Sequence, residues 1–170
     1  MTQRNLMTLV AISLLALALP AQSQPRPDQK QLPGSNAEIR ATLEKLYAAW
    51  SDLDPVKAAS FYAKDADLTF FDVAPMKYNA WAEYAAGVPQ AFAAYRSGKF
   101  TLNDDLGMHR QGNWAWATAT WRAELTKKDG NQEHLEGRYS AVLEKRGEQW
   151  LVVHEHMSVP LGQRQRRNSS

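Results

Sequence analysis

Three turn signals at nearly even spacing constrain this chain more than any other feature. Gln111-Gly112-Asn113, Asp129-Gly130-Asn131 and Arg146-Gly147-Glu148 stand 17–18 residues apart. From Lys99 onward the hydropathy between them alternates with a period near two. Alternation bounded by Gly between polar residues predicts tight hairpins. The outcome is four long antiparallel strands in a meander. Strands of that length twist and can curl.

Upstream, the period changes. Ser35-Asn36-Ala37-Glu38 is a capping-box pattern. Ile39, Leu43, Leu46, Tyr47 and Trp50 follow at helical spacing. Asp54-Pro55 predicts a second, short helix through about Tyr62, because Pro suits a first helical turn. "ADLTFFD" over 66–72 predicts a short strand. A third helix is expected from Asn79, carrying Trp81, Tyr84, Val88, Phe92 and Tyr95, with a kink or break at Pro89. Helices first and a meander second give an α+β class, three helices packed on one face of a curved, mainly antiparallel sheet. A curled sheet closed by helices forms a cone with a hollow, a natural ligand site.

The ends differ from the middle. Residues 1–23 carry a signal-peptide pattern: Arg4, an apolar run from Leu6 to Leu19, then Ala21-Gln22-Ser23. The run is short for a membrane span. This predicts a periplasmic or secreted protein with no membrane attachment after cleavage. Residues 24–34 hold three prolines and suit a linker. A domain over 35–161 and a basic tail over 162–170 complete the organisation. The chain has no cysteine, so neither disulfides nor thiol chemistry are in play. Its pI of 8.9 comes from the ends. Residues 36–161 hold 14 basic and 17 acidic residues, a net of −3. No broad basic face for nucleic acid is expected.

Candidate chemistry lies on the strands. Alternation puts Trp116, Thr118, Thr120, Arg122 and Glu124 on one face, opposite Ala117, Ala119, Trp121 and Ala123. It puts Glu136, Arg138, Ser140 and Val142 opposite Leu135, Gly137, Tyr139, Ala141 and Leu143, and gives Trp150, Val152, His154 and His156 a common face. Arg122 and Arg138 each sit mid-strand, where a charge needs a partner or water. They are either carboxylate-binding pocket groups or solvated outer-face residues. His154 and His156 could share a metal ion, but neither His109 nor His134 is placed as a third ligand, so no metal is assigned. One imidazole is expected to meet the hollow as a hydrogen-bonding group. Asp67 and Asp72 flank the short strand, and a carboxyl beside an apolar hollow can act as a general base. Tyr47, Trp50 and Trp81 are wall candidates, with polar handles on aromatic bodies.

With these residues in view, the chain resembles the SnoaL-like branch of the nuclear transport factor 2-like superfamily over roughly 36–160. "FYAKDADLTFFD", "ATATWRAELTKKDG" and "RYSAVLEKRGEQWLVVHEHMSVP" carry the resemblance. The last run is also similar to the association domain of calcium/calmodulin-dependent kinase II, through Trp150, Val153-His154, His156, Ser158 and Pro160. That similarity implies a cone-shaped fold, a homodimer through the sheet, and pocket arginines at Arg122 and Arg138. The superfamily's ketosteroid isomerases and polyketide cyclases imply cofactor-free enolate chemistry, with Asp67 or His154 as base and Tyr47 as oxyanion donor. Two functions stay open. One is a pocket for a small polar or anionic organic ligand, held by Arg122, Arg138, His154 and His156 with Tyr47, Trp50 and Trp81 as walls. The other is a cofactor-independent isomerase or cyclase.

Overall fold

A computed structural model describes residues 35–162. The leader over 1–23, the linker over 24–34 and nearly all of the basic tail lie outside the described residues. Helix α1, Ser35–Trp50, begins at the capping-box residue. Its face of Ile39, Leu43, Leu46, Tyr47 and Trp50 is buried, as the spacing requires. Helix α2, Pro55–Ala58, starts where Asp54 Oδ1 accepts from the Val56 amide at 2.8 Å. It tightens into a 3-10 turn over Ala59–Phe61, which delivers Tyr62 to the core. Among the described residues no helix is long and apolar enough to cross a membrane.

Strand β1, Thr69–Phe71, lies inside the stretch expected to be extended. Strand β2, Tyr78–Asn79, folds back on it just before α3, Ala80–Ala91. Pro89 sits in the last turn of α3, and the helix stops two residues later rather than kinking through to Tyr95. The remaining strands are β3 (Tyr95–Leu102), β4 (Gly107–Gln111), β5 (Trp114–Lys127), β6 (Gln132–Arg146) and β7 (Gln149–Ser158). The sheet order is β2-β1-β7-β6-β5-β3, with β4 also on β5. Its pairs are antiparallel except β1 with β7, which is parallel. Gly112, Gly130 and Gly147 take positive φ at the hairpins, the conformation their turns need.

Two departures from simple alternation matter. The strand expected to run from Lys99 to the first turn is split. Asn103-Asp104-Asp105 breaks it, and Asp105 accepts the Thr120 amide at 2.9 and 3.2 Å where β5 changes partner from β4 to β3. More consequentially, β7 carries a bulge. Val142 faces His154 while Leu143 faces Val152, leaving Val153 as an extra residue. Trp150 and Val152 point inward before the bulge. After it the buried position is Glu155, so His154 and His156 do not share a face with Val152.

Candidate functional site: a two-carboxyl cavity in the cone

The bulge sets the site's chemistry by turning Glu155 inward. This carboxyl is 1% exposed. An isolated buried carboxylate is costly, so it needs donors. The Tyr84 hydroxyl donates to Oε1 at 2.7 Å, and the Tyr62 hydroxyl lies 3.0 Å from both carboxyl oxygens. Trp50 Nε1 donates in turn to the Tyr62 hydroxyl at 3.0 Å, so helix α1 anchors the network. Burial pushes the Glu155 pKa up to about 7, against the pull of the Tyr84 and Tyr62 hydrogen bonds and with the charge of Asp72 adding to the rise. Tyr139 also favours the charged form of Glu155, but its hydroxyl lies off full hydrogen-bond geometry and makes no bond of its own.

Asp72 is the second carboxyl. It follows β1 directly, and its Oδ1 accepts from the Val73 amide at 2.6 Å. Burial pushes its pKa up to about 6, and the Val73 hydrogen bond opposes that rise. Both carboxyls line one cavity of about 150 Å³. Asp72, Val73, Ala74 and Met157 also border an outer groove, so they form the cavity's mouth. Asp72 keeps part of its surface open there, whereas Glu155 is sealed at depth.

The cavity's remaining polar groups are tyrosines. Tyr47 and Tyr139 are buried and meet edge to face, with ring centroids 5.4 Å apart. Neither hydroxyl has a hydrogen-bond partner among the described residues. Burial first, then the charge of Glu155, holds both phenols well above their ordinary range, so they stay protonated and can donate. Among the described residues no Lys, Arg or His side chain lines the cavity. The arrangement combines two carboxyls that change charge near neutrality with two uncommitted O–H donors in an aromatic enclosure. Such a set can remove a proton and stabilise the oxyanion that results.

The structure sorts the residues expected from sequence into two groups. Tyr47 and Trp50 line the cavity. Trp81 sits one layer behind, stacked on Tyr62 at 4.5 Å with the Lys64 ammonium 3.9 Å from its ring. The others are on the outside. Asp67 is exposed in the turn before β1 and does not line the cavity; Asp72, at the other end of the strand, does. Arg122 and Arg138 are exposed on the outer sheet face, and Arg122 Nη1 donates to Asn103 Oδ1 at 2.6 Å. The expected arginine pair therefore does not line the cone. Strands β5 and β6 alternate as the sequence predicts, but the inner row is the one of alanines and large apolar residues. His154 is half-buried behind Phe71, with Nδ1 2.7 Å from the Thr69 carbonyl, and His156 is exposed. Neither imidazole meets the cavity, because the bulge has reversed their face. Among the described residues no group of three or more His, Cys, Asp or Glu is placed to hold a metal ion.

Comparison with known proteins agrees with this architecture. The SnoaL-like domain family matches residues 39–162. A nuclear transport factor 2-like superfamily protein from Salmonella enterica serovar Typhimurium superposes with a TM-score of 0.67 at 22% identity, over 73% of this chain and 89% of that one. A candidate calcium/calmodulin-dependent protein kinase II association domain from Xanthomonas campestris gives 0.66 at 22% identity, over 76% and 92%. A candidate scytalone dehydratase from Novosphingobium aromaticivorans gives 0.66 at 11% identity, over 74% and 84%. Comparison with curated proteins returns no match. The chain belongs to the SnoaL-like domain family, and its fold is that of the Salmonella nuclear transport factor 2-like protein.

Proposed function

We propose that this domain is a cofactor-independent acid–base catalyst, an isomerase or dehydratase acting on a small uncharged organic molecule. One observation carries the reading: two carboxyls poised near neutrality share an aromatic cavity with two unpartnered tyrosine hydroxyls. Asp72, open at the mouth, takes a proton from a carbon next to a carbonyl. The negative charge moves to the carbonyl oxygen, where the Tyr47 and Tyr139 hydroxyls stabilise it. The proton then returns to another carbon, giving an isomer, or to a leaving hydroxyl, giving water and an alkene. Glu155, with Tyr62 and Tyr84, holds the deep wall and keeps a second exchangeable proton nearby. A fold neighbour named as a candidate dehydratase supports the same class of chemistry. An anionic ligand fits poorly, because it would meet two carboxyls and, among the described residues, no cation.

The test is solvent deuterium exchange into a panel of enolisable ketones, followed by proton NMR. The wild type should accelerate exchange, and Asp72→Asn should lose about 10²–10⁴ of that rate. Exchange unchanged in Asp72→Asn would end the assignment of Asp72 as base. Binding without exchange in the wild type would leave a ligand-binding module instead.

Two further parts of the reading concern context. The pattern over 1–23 supports export to the periplasm or medium, and an expressed chain beginning shortly after Ser23 would bear it out. The outer sheet face carries Trp114, Trp116 and Phe71 at 50, 46 and 38% exposure, which supports pairing of two copies through that face. Sedimentation of Trp116→Glu against wild type tests it, with a shift from dimer to monomer as the expected result.

A further inference from the structure

The size and polarity of the cavity narrow the substrate. A cavity of about 150 Å³ lined by apolar side chains is large enough for benzene. This one has the same volume. One six-membered ring with a small substituent fits inside it, and a fused bicycle would crowd its walls or reach into the mouth.

Its two ends differ. Leu135 and Tyr139 both point inward from β6, four residues and so about 13 Å apart. Leu135 stands opposite Ala123, near Leu125 and the turn of the β5–β6 hairpin, and this end is lined mainly by apolar side chains. Phe100 packs on Phe92 and on Trp121 there, with centroids 5.8 and 6.3 Å apart. Tyr139 stands opposite Met157, two residues from Glu155, and it touches Tyr47. Both carboxyls and the Tyr47, Tyr84 and Tyr139 hydroxyls belong to this second end, whereas Tyr95, the one titratable lining residue at the first, has its hydroxyl committed to Glu133 at 2.9 Å. A molecule that satisfies both ends has an apolar ring and one polar edge.

The polar edge has a defined character. The Tyr47 and Tyr139 hydroxyls are protonated donors that complete no hydrogen bond, Tyr139 lying near Glu155 without reaching bonding geometry. Buried donors without acceptors are costly, so a ligand oxygen between them gains both bonds. A carboxylate substituent would face Asp72 and Glu155. An ammonium substituent offers no lone pair to either hydroxyl.

We propose that the substrate is an uncharged single six-membered ring, the size of phenol or cyclohexenone, with a ring oxygen substituent against the Tyr47 and Tyr139 hydroxyls. The proposal rests on the reading of this cavity as the reaction site, but its test is a binding measurement and needs no turnover.

Calorimetric or ligand-observed NMR titration with phenol, cyclohex-2-enone, toluene, 1-naphthol, benzoate and benzylamine decides it. Phenol and cyclohex-2-enone should bind, and the bicycle and both charged rings should bind at least tenfold more weakly. Tyr139→Phe and Tyr47→Phe, checked for folding by circular dichroism, should each weaken phenol about three- to tenfold and leave toluene unchanged. Tighter binding of 1-naphthol than of phenol would overturn the size limit. Tighter binding of benzoate or benzylamine would overturn the uncharged class. Equal losses for phenol and toluene in the phenylalanine variants would overturn the placement of the oxygen, and no binding by any monocycle would overturn the proposal as a whole. Should phenol bind as stated while Asp72→Asn keeps full exchange activity, the catalytic reading fails and the substrate class stands.

Discussion

The two faces of β5, β6 and β7 are made by the same strands and do opposite things. Outward, Arg122, Glu124, Arg138 and His156 are exposed and hydrated. Inward, Ala115, Ala117, Trp121, Ala123, Tyr139 and Leu143 are buried against the helices and the cavity. Several charges on the outer face leave the chemistry unmoved, because water screens each one. One carboxyl on the inner face changes everything around it. Glu155 draws two tyrosine hydroxyls onto itself and takes a pKa near neutrality. The contrast shows that the side of the pleat, more than the kind of side chain, decides which residue is reactive.

The comparison breaks most visibly at Glu155. Glu155→Ala leaves the Tyr62 and Tyr84 hydroxyls buried without their acceptor and opens a cavity, so a loss of about 3–5 kcal/mol is expected in urea unfolding. Glu155→Gln keeps the volume and a hydrogen-bonding group, and should cost clearly less. Equal losses for the two variants would mean that the hydrogen bonds contribute nothing.

The pH dependence follows from the same group. Glu155 and Asp72 have folded pKa values near 7 and 6, above ordinary carboxyl values. Between the ordinary and raised values the folded state binds more protons than the unfolded one. The stability from this proton binding is fully present below the unfolded pKa values and is lost as pH rises through about 6 and then 7. For Glu155 the loss is of the order of 3 kcal/mol at most. Urea midpoints at pH 5 and pH 8 should therefore fall in that order, and Glu155→Gln should flatten the slope. A midpoint that rises toward pH 8 would contradict the sign.

Gly137 tests how closely the inner layer is packed. A Cβ there would meet the Ser158 carbonyl oxygen, and Trp121 Cε2 at 2.7 Å. Backbone and a buried indole cannot easily give way, so Gly137→Ala should cost about 1–3 kcal/mol. The outer face supplies the smallest effect. Arg122→Ala and Arg138→Ala should each stay within about 0.5 kcal/mol in the same assay.

Much of the fold was legible because its signals are local. Hairpin glycines, the Asp54-Pro55 helix start and the alternation of β5 and β6 each depend on neighbours in sequence. Tyr47 and Trp50 were legible as cavity wall because helical spacing puts them on the buried face of α1. Asp72 was within reach as one of two carboxyls flanking β1, but sequence does not distinguish it from Asp67. The difference arises from which end of a three-residue strand meets the cone. The arginines were misplaced because alternation separates two faces without saying which one the helices cover. The row of alanines was the available clue, since small side chains let a helix or ligand approach. Glu155 was hidden by the bulge at Val153, which shifts the parity of β7 by one residue. Its partners Tyr62 and Tyr84 lie 93 and 71 residues away, so nothing near it in sequence marks it as bonded. Trp150-Leu151-Val152-Val153, four successive apolar residues where a half-buried strand would alternate, was the local hint that the parity could change.

The central claim is that two inner-face carboxyls change charge near neutrality and sense each other. Carbon-13 NMR of the side-chain carboxyl carbons, followed through a pH titration, tests it most directly. The account predicts two carboxyls titrating near 6 and near 7, and a fall in the Glu155 value in Asp72→Asn, where the repelling charge is gone. Titration of every carboxyl in the ordinary acidic range, or a Glu155 value unmoved by Asp72→Asn, would contradict it.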